Sequence, residues 1–376
     1  MKKMILALLM LAPTAAWSWG GRGHDTICRT AVFLVKEPGL KEYLQQKPQM
    51  MGHVCNMPDF FWKSISGEVS SAGNPTHFID PEVTGMEVPK IPLDYKKIVD
   101  DFTGKENLFK KDGSKIFHVP TEFGSVWWRA DQFMRRIALM KADFAAAKPP
   151  ANSKEEQNSE LQYNKLVYQM VIDMGLMGHF VGDTSQPFHT TADYDGYAAG
   201  HGGIHAYFED GIVGEFDGDL ETRVLTEARK FTNASFLKPN STVEKMKALS
   251  VISMQEIPKI LKLDPVLKPS VVKKDLGMEI RTPAERMPTA IGYKRMNKMI
   301  VTDMARGATL LAHLWDQAYE SAGRPQLKAY KSYKYPFTVD FVAPDYVPES
   351  AKTAPAKPSV APGAPAVATP ATPAAK

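Results

Sequence analysis

Only two cysteines, Cys28 and Cys55, occur among 376 residues. That count excludes a disulfide-dense miniature fold and a zinc knot built on thiolates. Beyond the first residues there is no stretch of about 18 apolar residues, so no membrane-spanning anchor is expected. Charge of one sign is also scarce: the net value of +4 is too mild to imply nucleic-acid or membrane binding by itself. Alternating strand patterns are few and no repeat of fixed period is found, which argues against sandwiches, barrels and solenoids.

What is present begins with an export signal. Lys2 and Lys3 precede an apolar run from Met4 to Ala12, and Ala16 and Ser18 are small residues before a cut. Residues 1–18 are therefore expected to be removed and the protein exported, to the periplasm or the medium; cleavage after Ala16 is the competing choice. No cysteine follows the apolar run, which argues against a lipoprotein anchor. In an exported chain two cysteines more often pair than stay free. A Cys28–Cys55 bridge would fasten the first helix to the loop carrying Asp59, and two buried thiols are the alternative.

Helical periodicity runs through Asp25–Val35, Gly124–Lys148, Ser159–Val181, Val224–Thr232, Thr242–Leu263 and Tyr293–Ala322. The expectation is one large all-α domain over residues 19–347, about 330 residues with ample core. From Pro348 the chain is almost all Ala, Pro, Lys, Val and Thr, so 348–376 reads as a disordered tail.

Five of the nine histidines fall in segments that interleave them with carboxylates. The most apolar helix ends in His179-Phe-Val-Gly-Asp183-Thr-Ser-Gln-Pro-Phe-His189, where His179 and Asp183 share a helix face and Pro187 turns His189 back towards them. His205 and Glu209 repeat the four-residue spacing, and Asp59 and His77 add a carboxylate and an imidazole from loops. Cleavage after Ser18 would free the amine of Trp19, which chelates a metal together with its own carbonyl, with His24 close by. Any one such pair alone reads first as a solvated helical ion pair or a satisfied helix-end histidine. Jointly, nitrogen and oxygen ligands without thiolate favour catalytic zinc, although manganese or iron also suits the ligand set. His53, His118 and His313 read as surface or core residues, and His201, beside Gly-Gly, as an unassigned loop residue.

The order of Trp, His, Asp, His-Phe, His-x-x-x-Asp-x-x-x-Pro-x-His and His-x-x-x-Glu, from Trp19 to about Gly323, resembles the superfamily joining S1/P1-type nucleases and zinc-dependent phospholipases C. The resemblance implies a trinuclear zinc cleft in a single helical domain. It assigns Asp59, His77, His179 and Asp183 to one ion, His189, His205 and Glu209 to a second, and Trp19, His24 and Asp183 to a third, with Asp59 also catalytic. The implied reaction is hydrolysis of a phosphodiester by metal-activated water. Only fifteen residues separate His189 from His205, and the last ligand is Glu209, which resembles the phospholipases; the short gap from Trp19 to His24 resembles the nucleases. A phospholipid headgroup is thus the expected substrate, with single-stranded nucleic acid the alternative and a non-catalytic zinc protein the third reading. Arg22, Phe60 and Phe78 are the candidate substrate contacts. No protein partner is evident.

Overall fold

Helix makes up 64% of the computed structural model and strand 6%, so helix packing decides the architecture. The structure describes residues 19–275, 278–327 and 338–352; the expected signal and the tail beyond 352 lie outside them. Seven helices carry the fold: α1 (Gly20–Leu34), α2 (Pro48–Cys55), α3 (Val126–Ala146), α4 (Gln162–Ser185), α5 (Leu220–Ala228), α6 (Thr242–Met254) and α7 (Thr289–Ser321). Among the described residues, no helix is long and apolar enough to cross a membrane.

Helix α4 is buried at every residue from Met170 to Ser185, which its all-round apolar composition requires. It packs against α1, α2, α3, α6 and α7. Two of its glycines permit the closest approaches. A Cβ at Gly178 would lie 2.4 Å from the sulfur of Cys28, and one at Gly182 2.7 Å from Nδ1 of His24. Cys28 and Cys55 form a disulfide, joining α1 to the end of α2 against this face. Trp127 and Trp128, with Met140, Met170, Met174 and Met177, fill the core, while Met134 packs at its edge.

Three departures from the sequence reading matter for the site. Helix α1 starts at Gly20, so His24 lies within it instead of preceding it. The segment expected as one helix over 242–263 breaks at Gln255–Glu256, just before Pro258, which lacks an amide hydrogen; a short helix, Ile257–Leu263, follows. Between that helix and α7 the chain leaves the helical pattern altogether. There β1 (Val266–Lys268) pairs antiparallel with β4 (Glu285–Arg286), and β2 (Val271–Asp275) with β3 (Met278–Thr282). The all-α expectation is corrected to mostly helical with two small ribbons. Every residue of β2 and β3 is exposed, so the alternation that betrays a half-buried strand is absent from their sequence.

The end of the described chain is packed onto the core. Trp62 donates its indole N–H to the carbonyl of Val339 (2.7 Å), and Gln132 donates to that of Ala343 (2.7 Å). The fully buried Arg129 donates to the carbonyl of Val342 from a cage of Trp62, Phe133, Phe180 and Phe341 rings. Residues 349–352, expected to begin the disordered tail, form a short helical turn with Ala351 buried.

Candidate metal centre

Each ligand candidate is delivered by the end of a helical element, where side chains can converge without crossing a helix barrel. His24 comes from α1; His179 and Asp183 come from the last turns of α4, which runs two residues past Asp183. His77 closes a 3-10 turn (Asn74–His77), and His189 sits in another, Pro187–Thr190, begun by the proline that stops α4. Asp59 and Glu209 both lie in π-helical turns, Pro58–Trp62 and Tyr207–Gly211. Such widened turns are rare and concentrate at functional sites.

The side chains meet in the interior. Asp183 is fully buried; its Oδ1 is 3.3 Å from Nε2 of His24, and its Oδ2 is 3.0 Å from Nδ1 of His77 and 3.5 Å from Nε2 of His179. The two oxygens thus face different imidazoles. Asp59 Oδ1 lies 3.6 Å from His179 Nε2 and 3.8 Å from His77 Nδ1. In the other half, His189 and His205 present their Nε2 atoms to each other at 3.0 Å, with Glu209 Oε2 3.0 Å from His205. By proximity the atoms fall into three buried groups that can hold metal ions: His24, Asp59 and His179; His77, His179 and Asp183; His189, His205 and Glu209. The backbone N–H of Trp19 donates at 2.9 Å to Oε2 of Glu209, a member of the last group, whereas the resemblance places the Trp19 nitrogen with His24 and Asp183.

Hydrogen bonds show that these imidazoles suit a cation. His179 Nδ1 is 2.8 Å from the carbonyl of Cys55 and His189 Nδ1 2.7 Å from that of His77. A carbonyl only accepts, so each Nδ1 carries the proton and each Nε2 offers a lone pair to the cluster. Lone pairs facing at 3 Å repel unless a shared proton or cation lies between them. In the second half, Glu209 Oε1 and His205 Nδ1 are buried without a hydrogen-bond partner. Burial pushes the Glu209 carboxyl well above its usual range, only partly countered by His189, so a positive charge is what this pocket lacks. Burial likewise lowers His189 and His205 to about 4, leaving both neutral and able to ligate near pH 7. Asp59 differs: burial would raise it, but Lys63 and the imidazoles of His179 and His77 outweigh that and keep it ionised.

A cavity of about 630 Å³ opens beside the groups. His77, His189 and His205 line it together with Phe78, Phe188, Tyr194, Lys63 and Asp80. That volume suits a phosphorylated small molecule or a headgroup. Of the expected substrate contacts only Phe78 lines it. Arg22 is turned away: its guanidinium donates to the carbonyls of Val213 (2.9 Å) and Asp217 (2.6 Å). Phe60 is 44% exposed with its ring over Gly21, outside the cavity wall. Sequence reasoning missed four groups. Lys63, 2.5 Å from Asp59, stands four residues after it on one helical face and was open to the spacing argument. Gln186, which donates to Glu209 Oε2 at 2.9 Å, and the wall residues Tyr194 and Asp80 carry no such signal.

No protein-family model matches the chain, and no curated protein matches it either.

Proposed function

We propose that the protein is an exported zinc-dependent phosphoric ester hydrolase, a phospholipase C acting on phospholipid headgroups. The observation that carries this reading is the convergence of three buried His and carboxylate groups, two of which reach the lining of one cavity through His77, His189 and His205. Nitrogen and oxygen ligands without thiolate suit zinc in a catalytic role. Asp59, His77, His179 and Asp183 would hold one ion, His189, His205 and Glu209 another, and His24 with the Trp19 nitrogen would take part in a third. When bound, the ions supply Lewis acidity, making water nucleophilic near neutral pH and offsetting charge on the phosphoryl oxygens.

The chain's own residues do the rest. Asp59, ionised and held by Lys63, can accept a proton from attacking water at a carboxylate oxygen. Lys63 adds a cation on the cavity wall for the phosphate. Phe78, Phe188 and Tyr194, which line the same cavity, exclude water and give an apolar surface to the rest of the substrate. The same Phe78 supports a second reading, a single-strand nuclease or 3'-nucleotidase, because an aromatic ring beside a phosphate site can stack a base.

Purified protein assayed side by side on phosphatidylcholine, phosphatidylethanolamine and single-stranded DNA separates these readings. Chelator-sensitive release of a phosphorylated headgroup, restored by zinc, is the expected result. Cleavage of DNA alone would replace the first reading with the second, and zinc uptake without turnover on any substrate would leave a binding protein.

A further inference from the structure

We propose that Arg286, with Asp264 and His201, is the positioning element of the second ligand group, fixing the loop from which His205 and Glu209 start and so setting how tightly that group holds its ion. The inference rests on the reading of His189, His205 and Glu209 as ligands. His201, four residues before His205, carries no role in the sequence reading; here it belongs to a buried network spanning more than 60 residues of chain.

The Arg286 side chain is 8% exposed and Asp264 is fully buried. Arg286 Nε donates to Asp264 Oδ1 at 2.9 Å and Nη2 to Oδ2 at 3.0 Å, and Asp264 Oδ2 also lies 2.8 Å from His201 Nδ1. The remaining reach of the guanidinium goes to backbone: Nη1 donates to the carbonyl of Gly202 at 2.9 Å, and Nη2 also donates to that of His201. Its carbon lies 5.2 Å from the ring centre of Tyr207, between His205 and Glu209 in sequence. One planar cation therefore grips the chain on both sides of His205.

The loop has little freedom left. Gly203 takes a φ of +86°, its N–H donates to the carbonyl of Asp195 (2.9 Å), and the N–H of His205 itself meets the Asp195 carboxylate at 3.3 Å. For stability alone, a buried ion pair is often no better than apolar residues of the same volume. What a guanidinium fork adds is direction, since its donors are fixed in one plane. Here that direction is spent on carbonyls within four residues of a ligand. The network also roots the ribbon segment, through Asp264 and Arg286, onto the ligand loop, which connects that segment to the site.

The test uses zinc-depleted full-length protein titrated with Zn²⁺ by calorimetry, with the ring resonances of His189 and His205 followed by NMR to identify the ion concerned. Arg286→Lys keeps the charge but loses the fork; His201→Gln leaves the Arg286–Asp264 pair intact and so protects the fold. Arg286→Lys is expected to weaken the ion at His189 and His205 roughly 10- to 100-fold while the other ions bind as before. His201→Gln should give a smaller loss at the same ion. As a control, Arg136→Lys alters the fork that Arg136 makes on buried Asp173 between α3 and α4, and should change no ion. Unchanged affinity at His189 and His205 in both loop variants overturns the proposal. So does parallel weakening of every ion with a falling melting temperature, the mark of a merely structural role. Absence of any zinc response from His189 and His205 in the unaltered protein would instead remove the ligand assignment on which the proposal stands.

Discussion

The two halves of the candidate metal centre are fastened by different chemistry. His24, Asp59, His179 and Asp183 rest on or beside long helices, and a covalent bond, Cys28–Cys55, ties α1 to the end of α2. The carbonyl of Cys55 also orients His179, so the bridge reaches the ligands directly. His189, His205 and Glu209 sit on short turns with a loop between them, held by hydrogen bonds, a buried guanidinium and backbone carbonyls. The first half should yield to reductant, the second to substitutions that leave its charge intact but spoil its geometry.

Asp183→Asn should have the largest effect, because Asp183 is the one residue of the first half whose two oxygens serve different imidazoles. Losing one charge and one strong ligand oxygen should cost several kcal/mol of electrostatic stabilisation, roughly a thousandfold in turnover. Metal analysis should show the first half depleted while His189, His205 and Glu209 keep their ion. Full metal content with near-normal turnover would mean that Asp183 holds no ion in the first half.

Acid should strike both halves. In the ion-free protein His189 and His205 sit at about 4, against 6.5 for a free imidazole, and burial also holds His179 low. Between those values the unfolded chain binds more protons than the folded one. Stability present above about pH 6.5 is therefore lost progressively as the pH falls towards 4. The loss is on the order of 3 kcal/mol for each of His189 and His205, at about 1.4 kcal/mol per pH unit. Denaturant midpoints at pH 7 and pH 4.5 measure it; a flat profile would contradict neutral buried imidazoles.

Removing the bridge should strike one half only. Cys28→Ala with Cys55→Ala opens a 27-residue separation, worth about 3 kcal/mol by chain entropy. Zinc titration should show weaker binding at His24, Asp59 and His179, with the His189 group unaffected. Equal weakening everywhere would erase the contrast between the halves.

The smallest effect is expected at Arg22. Because its guanidinium is engaged by the carbonyls of Val213 and Asp217, away from the cavity, Arg22→Glu should leave the ratios of kcat/KM for choline lipid, anionic lipid and DNA within about twofold, at a stability cost of about 1 kcal/mol. A large shift in those ratios would return Arg22 to the substrate.

That these His and carboxylate side chains gather was legible because the pattern is local: four-residue spacings on helix faces and a proline that reverses the chain survive in a linear reading. The long helices were legible for the same reason, being periodic and buried. What escaped is non-local or lacks a period. Arg286 meets His201 and Gly202 across more than 80 residues. The ribbon it roots shows no buried face to read, and the aim of Arg22 depends on carbonyls that composition does not reveal. The tail boundary was drawn from composition at Pro348, yet Ala351 is buried and its carbonyl lies 2.6 Å from His118 Nε2.

The cage around Arg129 sets an order in time. Its rings come from early, middle and late chain: Trp62, Phe133 and Phe180, then Phe341, and the accepting carbonyl belongs to Val342. Phe180 in turn packs edge-on against His179, with ring centres 5.1 Å apart, and lies 5.4 Å from His77. A chain made from its amino end thus carries every ligand long before it carries the residues that close the wall behind two of them. Until Phe341 and Val342 arrive, the guanidinium behind Phe180 lacks one ring of its cage and that acceptor, so the packing behind His179 and His77 is completed late on a nascent chain.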